Sequence, residues 1–323
     1  MGNFDSQKGS RFGVGYILVF NLLSGIQAVY LSGLLQKANL FATITITFFF
    51  VSVFFLVVSL FYKEKKNIPT APAAKFYNVL AINLTTAGSW LGFFVALKYI
   101  EPAVVSALAN AIGPMLTLFI TVKIAKSDKL SRAEIFSAIG VFVCMLLMIR
   151  STMNGTSALG NISRDHAIIG IGMAFLCGLS MVLNTIFSKR LNNQGVKPHS
   201  IMTFRFVLIV LVGVYIAGYD EIMATLHQYW LTLLIVAMLG NVLPLYILQV
   251  GISKVPPLVV SFALVLAPLF YFLSQQFSAR IAFSAETLIF ILCSLMFLSY
   301  GIIAKSKAKA KAKAMAEKAL LAE

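Results

Sequence analysis

The chain has 323 residues, of which 59% are hydrophobic and only 11% charged, with a formal net charge of +15. A water-soluble domain carries about 25% charged residues, so this sequence lacks the polar material to coat a water-facing surface. Its apolar residues fall in runs of about 17–25, the length that crosses a hydrocarbon core of about 30 Å, and the stretches between them are too short for an independent soluble domain.

In chain order, residues 1–12 form a short polar N-terminus without the apolar core and small-residue cleavage site of a signal peptide. Ten transmembrane helices are predicted, at 13–35, 40–62, 76–97, 103–122, 133–149, 167–188, 200–218, 229–250, 257–275 and 284–304. A Lys/Ala-rich tail, 305–323, closes the chain. Lysines at alternate positions scatter around a helix, so the tail reads as a solvated cytoplasmic anchor. Its attraction to anionic lipid is worth about 1 kcal/mol per lysine near the surface.

The charges settle the expected topology. With the N-terminus in the cytoplasm, most of the 26 basic residues fall on that side, in KEKKNIPTAPAAK, KIAKSDKLSR, KRLNNQGVKPH and the tail. Lys37, Lys98, Arg150, Arg164 and Arg280 fall on the other side. Positive residues stay inside, so both ends are predicted cytoplasmic, and the high net charge is a topology signal that gives no ground for a nucleic-acid partner. Cys144, Cys177 and Cys293 all lie in apolar runs and read as small core residues. His166, His199 and His227 are not spaced as metal ligands. Nothing in the chain has the spacing of an enzyme's reactive groups, so no catalytic residue, metal or cofactor is expected.

Residues 96–120, ALKYIEPAVVSALANAIGPMLTLFI, and 250–274, VGISKVPPLVVSFALVLAPLFYFLS, match at a spacing of 154. Pro102 meets Pro256, Val105 meets Val259, Ala109 meets Ala263 and Pro114 meets Pro268. A weaker match aligns Gly25 with Gly178. A proline near a helix start costs little, whereas one in mid-helix removes a hydrogen bond and bends the helix, so Pro114 and Pro268 are the expected bends. The repeat period spans five helices, an odd number, so the copies cross the membrane in opposite directions. The fold expected is an all-α membrane protein of ten transmembrane helices in two inverted five-helix repeats, 13–150 and 166–304. Inverted repeats recur in secondary transporters, with the substrate near the midplane.

The two matched segments resemble the repeated signature of the drug/metabolite transporter superfamily, EamA type. So does PHSIMTFRF (198–206), with Pro198 followed seven residues later by Arg205; the first repeat departs from this, with Phe41 and Phe48 in those places. The resemblance implies a central cavity and alternating access. It is nearest to bacterial exporters of amino acids and related compounds, which implies an inner-membrane location. A channel, scramblase or scaffold is the alternative; the oligomeric state is not readable.

No acidic residue falls in mid-membrane on this map, which places Glu101 in an outer loop and argues for a facilitator or exchanger over a carboxylate proton relay. Arg205 is the one intramembrane charge, open to two readings: a structural anchor, or a forked donor to a substrate carboxylate or phosphate. The other cavity candidates are neutral. Asn83, Thr86 and Trp90 share a face of the third helix, Asn21, Gln27 and Tyr30 lie on the first, and Asn110 precedes Pro114 by one turn. Asn184 lies on the sixth, Asn241, Tyr246 and Gln249 on the eighth, and Tyr271 on the ninth. For each amide, helix–helix hydrogen bonding is the competing reading.

Overall fold

In hydrocarbon every backbone polar group must be satisfied within the chain, which leaves helices as the answer to these apolar runs. The computed structural model describes residues 2–61, 72–123, 132–159, 162–196, 198–252, 254–255 and 257–320, and among them every regular element is helical. The first half holds α1 (Gly2–Leu34), α2 (Leu40–Phe61), α3 (Pro72–Tyr99), α4 (Pro102–Lys123) and α5 (Arg132–Met153). The second holds α6 (Arg164–Asn193), α7 (Pro198–Phe204), α8 (Val207–Ala217), α9 (Tyr219–Ile235), a π-helical segment (Val236–Val242), α10 (Leu243–Ile252), α11 (Pro257–Val265), α12 (Ala267–Gln275) and α13 (Ala285–Leu320).

Among the described residues, eight helices are long and apolar enough to cross a membrane, and two shorter apolar helices, Pro102–Gly113 and Phe262–Gln275, occupy the matched proline segments. The described residues are therefore those of an all-helical membrane protein, with eight helices of full spanning length among them. Three boundaries depart from the sequence reading. Residues 219–228 are helical, because Gly218 at φ 76° makes the corner after α8 and a new helix starts at once. The N-terminus is helical from Gly2, and α13 runs through the lysine-rich tail to Leu320. The predicted seventh span is two helices, broken at Arg205–Phe206, and the ninth is broken at Leu266, two residues before Pro268.

Packing crosses the two halves throughout. α1 lies against α10, α11 and α12; α6 lies against α3 and α4; α2 packs on α7, α8 and α9; and α5 packs on α13. The core between them is apolar, with Phe48, Phe94 and Phe206 fully buried and Phe48 stacked on Phe206 at 5.3 Å. The outer face carries Phe61, Leu60, Leu211 and Tyr215 well exposed, a surface suited to lipid and costly in water.

Lipid supplies no hydrophobic drive between helices, so close contact rests on small residues. A Cβ at Gly178 would lie 2.5 Å from the Ala109 carbonyl oxygen, so α6 and α4 meet backbone to backbone there. Gly25 does the same for α1 and α12, with the Phe270 carbonyl 3.0 Å from where its Cβ would be. The two glycines aligned by the weak sequence match thus each seat a close helix pair, α6 on α4 and α1 on α12. Gly178→Ala is expected to cost about 1–3 kcal/mol by overpacking. Gly172→Ala, where nothing lies within 4 Å, is the control and should be silent. Thermal unfolding of the detergent-solubilised protein compares them, and equal melting temperatures would reject this account of the α4–α6 contact.

Candidate functional site

A cavity of about 330 Å³ sits in the middle of the bundle, walled by α1, α3, α4 and α6 together with Arg205, the π-helical segment, α10 and α12. Both halves of the chain contribute. Its aromatic wall is Phe20, Trp90, Phe93 and Tyr271, and no acidic side chain lines it among the described residues.

Arg205 enters the cavity from the break between α7 and α8. Its Nε donates to Thr86 Oγ1 at 3.1 Å and its Nη2 to Asn184 Oδ1 at 2.8 Å, while Nη1 lies 3.6 Å from Met202 Sδ. Asn184 Nδ2 closes the triangle by donating to Thr86 Oγ1 at 2.7 Å. A guanidinium has five N–H donors, so three are engaged and two remain for the cavity. The break itself is stabilised by another helix: Asn83 Oδ1 accepts from the Leu208 backbone N–H at 3.2 Å, satisfying an orphan donor in the first turn of α8.

The opposite wall is built on the π-helical segment. Pro244 lacks an N–H, and its ring would press on the carbonyl four residues back; the widened turn just before it relieves that clash. The same turn carries Gly240 and Asn241. A Cβ at Gly240 would collide with the Gln27 side chain, so the glycine lets that amide lie flat against the helix. Asn241 Nδ2 donates to the Val236 carbonyl at 3.1 Å, but its Oδ1 has no partner, and neither does Gln27 Nε2. Both residues are at least nine-tenths buried.

The chain's first half carries a family signature. Residues 11–150 match the EamA-like transporter family. That is the family type named from the repeated proline segments, and it is a family of membrane transporters within the drug/metabolite transporter superfamily. Fourteen solved chains match the fold. One of them, a crystal structure of a protein, superposes with a TM-score of 0.55 over 94% of this chain and 99% of its own, at 14% identity, which shows shared architecture alone. No curated protein matches the sequence.

In this EamA-like chain the structure brings Gln27, Trp90, Asn110, Asn184, Arg205, Asn241 and Tyr271 to one cavity. Others from the sequence reading lie elsewhere. Tyr30 and Tyr246 face outward, 52% and 68% exposed. Asn21 is buried in packing, its Nδ2 donating to the Ala263 carbonyl at 2.6 Å, and Thr86 and Asn83 hold Arg205 and α8 from behind. The Gln249 side chain lies outside the described residues. Pro268 starts α12 after the break, whereas α4 runs as one helix through Pro114. Sequence reasoning missed Ser106, Cys177, Met181 and Thr185, although helical spacing from Asn110 and Asn184 points to them.

Glu101 lies in the connection between α3 and α4, where the sequence places it, but it is buried there. It is 1% exposed, accepting from Thr287 Oγ1 at 2.6 Å and Gln275 Nε2 at 3.0 Å, and Gln275 Oε1 in turn accepts from the Ala103 N–H at 3.1 Å. The carboxylate ties the start of α4 to α12 and α13. Beside it, Ser32 donates to the Leu97 carbonyl at 2.8 Å and accepts from Arg280. Burial raises the Glu101 carboxyl above its ordinary value, opposed by its bonds from Thr287, Gln275 and the Ala158 backbone. A raised folded-state value means the native state holds the proton more tightly. The contribution to stability is then full at low pH and lost as pH rises through that value. The melting temperature of wild type minus that of Glu101→Gln should therefore fall between about pH 4 and pH 8. A difference that grows over that interval would reject this.

Proposed function

We propose that this chain is a secondary transporter that moves a small metabolite across a bacterial inner membrane by alternating access, with ten spans in two inverted repeats and both termini cytoplasmic. The observation that carries the reading is the central cavity, shared between the two halves and lined by neutral polar groups, aromatics and one arginine. The helix pairings support the repeat. Exchange of the halves turns the α1–α10 contact into α6–α3 and the α1–α12 contact into α6–α4, while α2–α8 and α5–α13 map onto themselves. A pseudo-two-fold axis through the cavity accounts for all of these together.

On this topology the Glu101 and Ser32–Arg280 contacts close the outer end, so the state described is inward-facing. Substrate release to the outside requires those contacts to part. Amino acids or related compounds, moved outward, fit the family and the size of the cavity. Because no acidic side chain lines the path among the described residues, the carrier works as a facilitator or exchanger.

Proteoliposomes loaded with an unlabelled amino-acid mixture and diluted into single labelled amino acids test the reading through counterflow. Saturable uptake stimulated by internal substrate is expected, with or without an imposed pH gradient. Trp90→Ala should lower it about tenfold, the equivalent of the roughly 1.5 kcal/mol an aromatic contact supplies. The lipid-facing Tyr246→Ala should transport normally. A non-saturating conductance would replace the carrier with a channel, and flux that requires a pH gradient would overturn the uncoupled mechanism.

A further inference from the structure

The two polar ends of the cavity differ in a way that defines a ligand. At one end stands a full positive charge whose partners, Thr86 Oγ1, Asn184 Oδ1 and Met202 Sδ, are all neutral. A cation at mid-span costs at least about 2.5–3.5 kcal/mol unless it is compensated. The three contacts orient the guanidinium and relieve part of that cost, but they bring no opposite charge. At the other end, Gln27 and Asn241 line the cavity, and Gln27 Nε2 and Asn241 Oδ1 are a donor and an acceptor, both nearly fully buried and without protein partners. A buried polar atom left unpaired is costly, and one lining a cavity finds its partner in whatever the cavity holds.

We propose that the cavity selects a small organic monocarboxylate that is gripped at Arg205 and carries a neutral hydrogen-bonding group at its far end for Gln27 and Asn241. This rests on the transporter reading and names its substrate class. The charge balance excludes the alternatives. A phosphate ester brings about 1.5 to 2 negative charges, against one arginine. A dicarboxylate places its second anion against neutral amides, and a simple organic cation finds no carboxylate among the described lining residues and meets Arg205 instead. The amino acids of the broader reading qualify through their carboxyl end. Two spare N–H groups on a fixed plane match a carboxylate's two oxygens, which an ammonium in the same place does not.

A series of matched compounds tests this by varying charge on a constant skeleton. Succinate, succinamate and succinamide carry two, one and no carboxylates; the glutarate and adipate series extend the length. Thermal stabilisation of the purified full-length protein is measured with each, and with inorganic phosphate, at equal ionic strength. The monoamide-monoacid of at least one series is expected to bind about 10- to 100-fold tighter than its diamide, the equivalent of one charge-assisted hydrogen bond. It should also bind more tightly than its diacid. Arg205→Lys should lose most of that preference, and Arg205→Gln all of it. The native-chain comparison stands even if Arg205→Gln does not fold. Diamides or phosphate binding as well as the monoacids, acid preference surviving Arg205→Gln, or no stabilisation by any monoacid would each overturn the proposal. Monoacid binding without counterflow would instead remove the transport reading and leave the site intact. Counterflow of a neutral compound independent of Arg205 would remove the site and leave transport intact.

Discussion

The central constraint is a guanidinium held inside an apolar bundle by neutral partners alone. Burying Arg205 requires a helix break to aim it, a hydroxyl and an amide to orient it, and Asn83 to satisfy the backbone that the break exposes. Those demands fix the relation of α3, α6 and α8, and with it one wall of the cavity. A carboxylate in place of Asn184 would have neutralised the charge and ended the matter locally. Without one, the field of the cation reaches the cavity, where the low dielectric strengthens it.

The rest of the scaffold solves a different problem, association in a solvent as apolar as the side chains. Gly25 and Gly178 bring backbones together where larger residues would hold them apart, and the helix pairs they seat run between the halves of the chain. Polar contacts gather instead at one end, around Glu101 and Ser32, where the segments leave the apolar layer. The bundle is thus laced by hydrogen bonds at that end and around Arg205, and packed by shape where the glycines bring helices together.

Most of the architecture was legible because its causes are local and repetitive. Apolar run length gives helices, and the matched prolines lie in two short apolar helices, one in each half of the chain. The burial of Glu101 was not legible, because nothing local marks a carboxylate beside a proline at a helix start as buried; only the meeting of Gln275 and Thr287, more than 170 residues away, buries it. Asn83 and Trp90 share a helical face, yet one caps α8 and the other lines the cavity, and no spacing rule distinguishes a cap supplied to a distant helix from a ligand contact. The π-helical turn escaped notice for a similar reason. Pro244 announces a disturbance, but the widened turn that absorbs it lies upstream and needs the whole helix to continue on both sides.

Phe48 stands where the proposed repeat would place the counterpart of Arg205, and the two regions touch through the stack of Phe48 on Phe206. Perfectly duplicated halves would make the two end states of a rocking carrier degenerate, each the mirror of the other. Here one half offers a charge and the other a closed aromatic plug. In the carrier proposed above, conformations open to opposite faces would differ in how water reaches a single cation, which would give the empty protein a built-in resting preference. Occupancy by the proposed anion, by cancelling that charge, would flatten the difference and make the passage between faces easier when loaded than when empty.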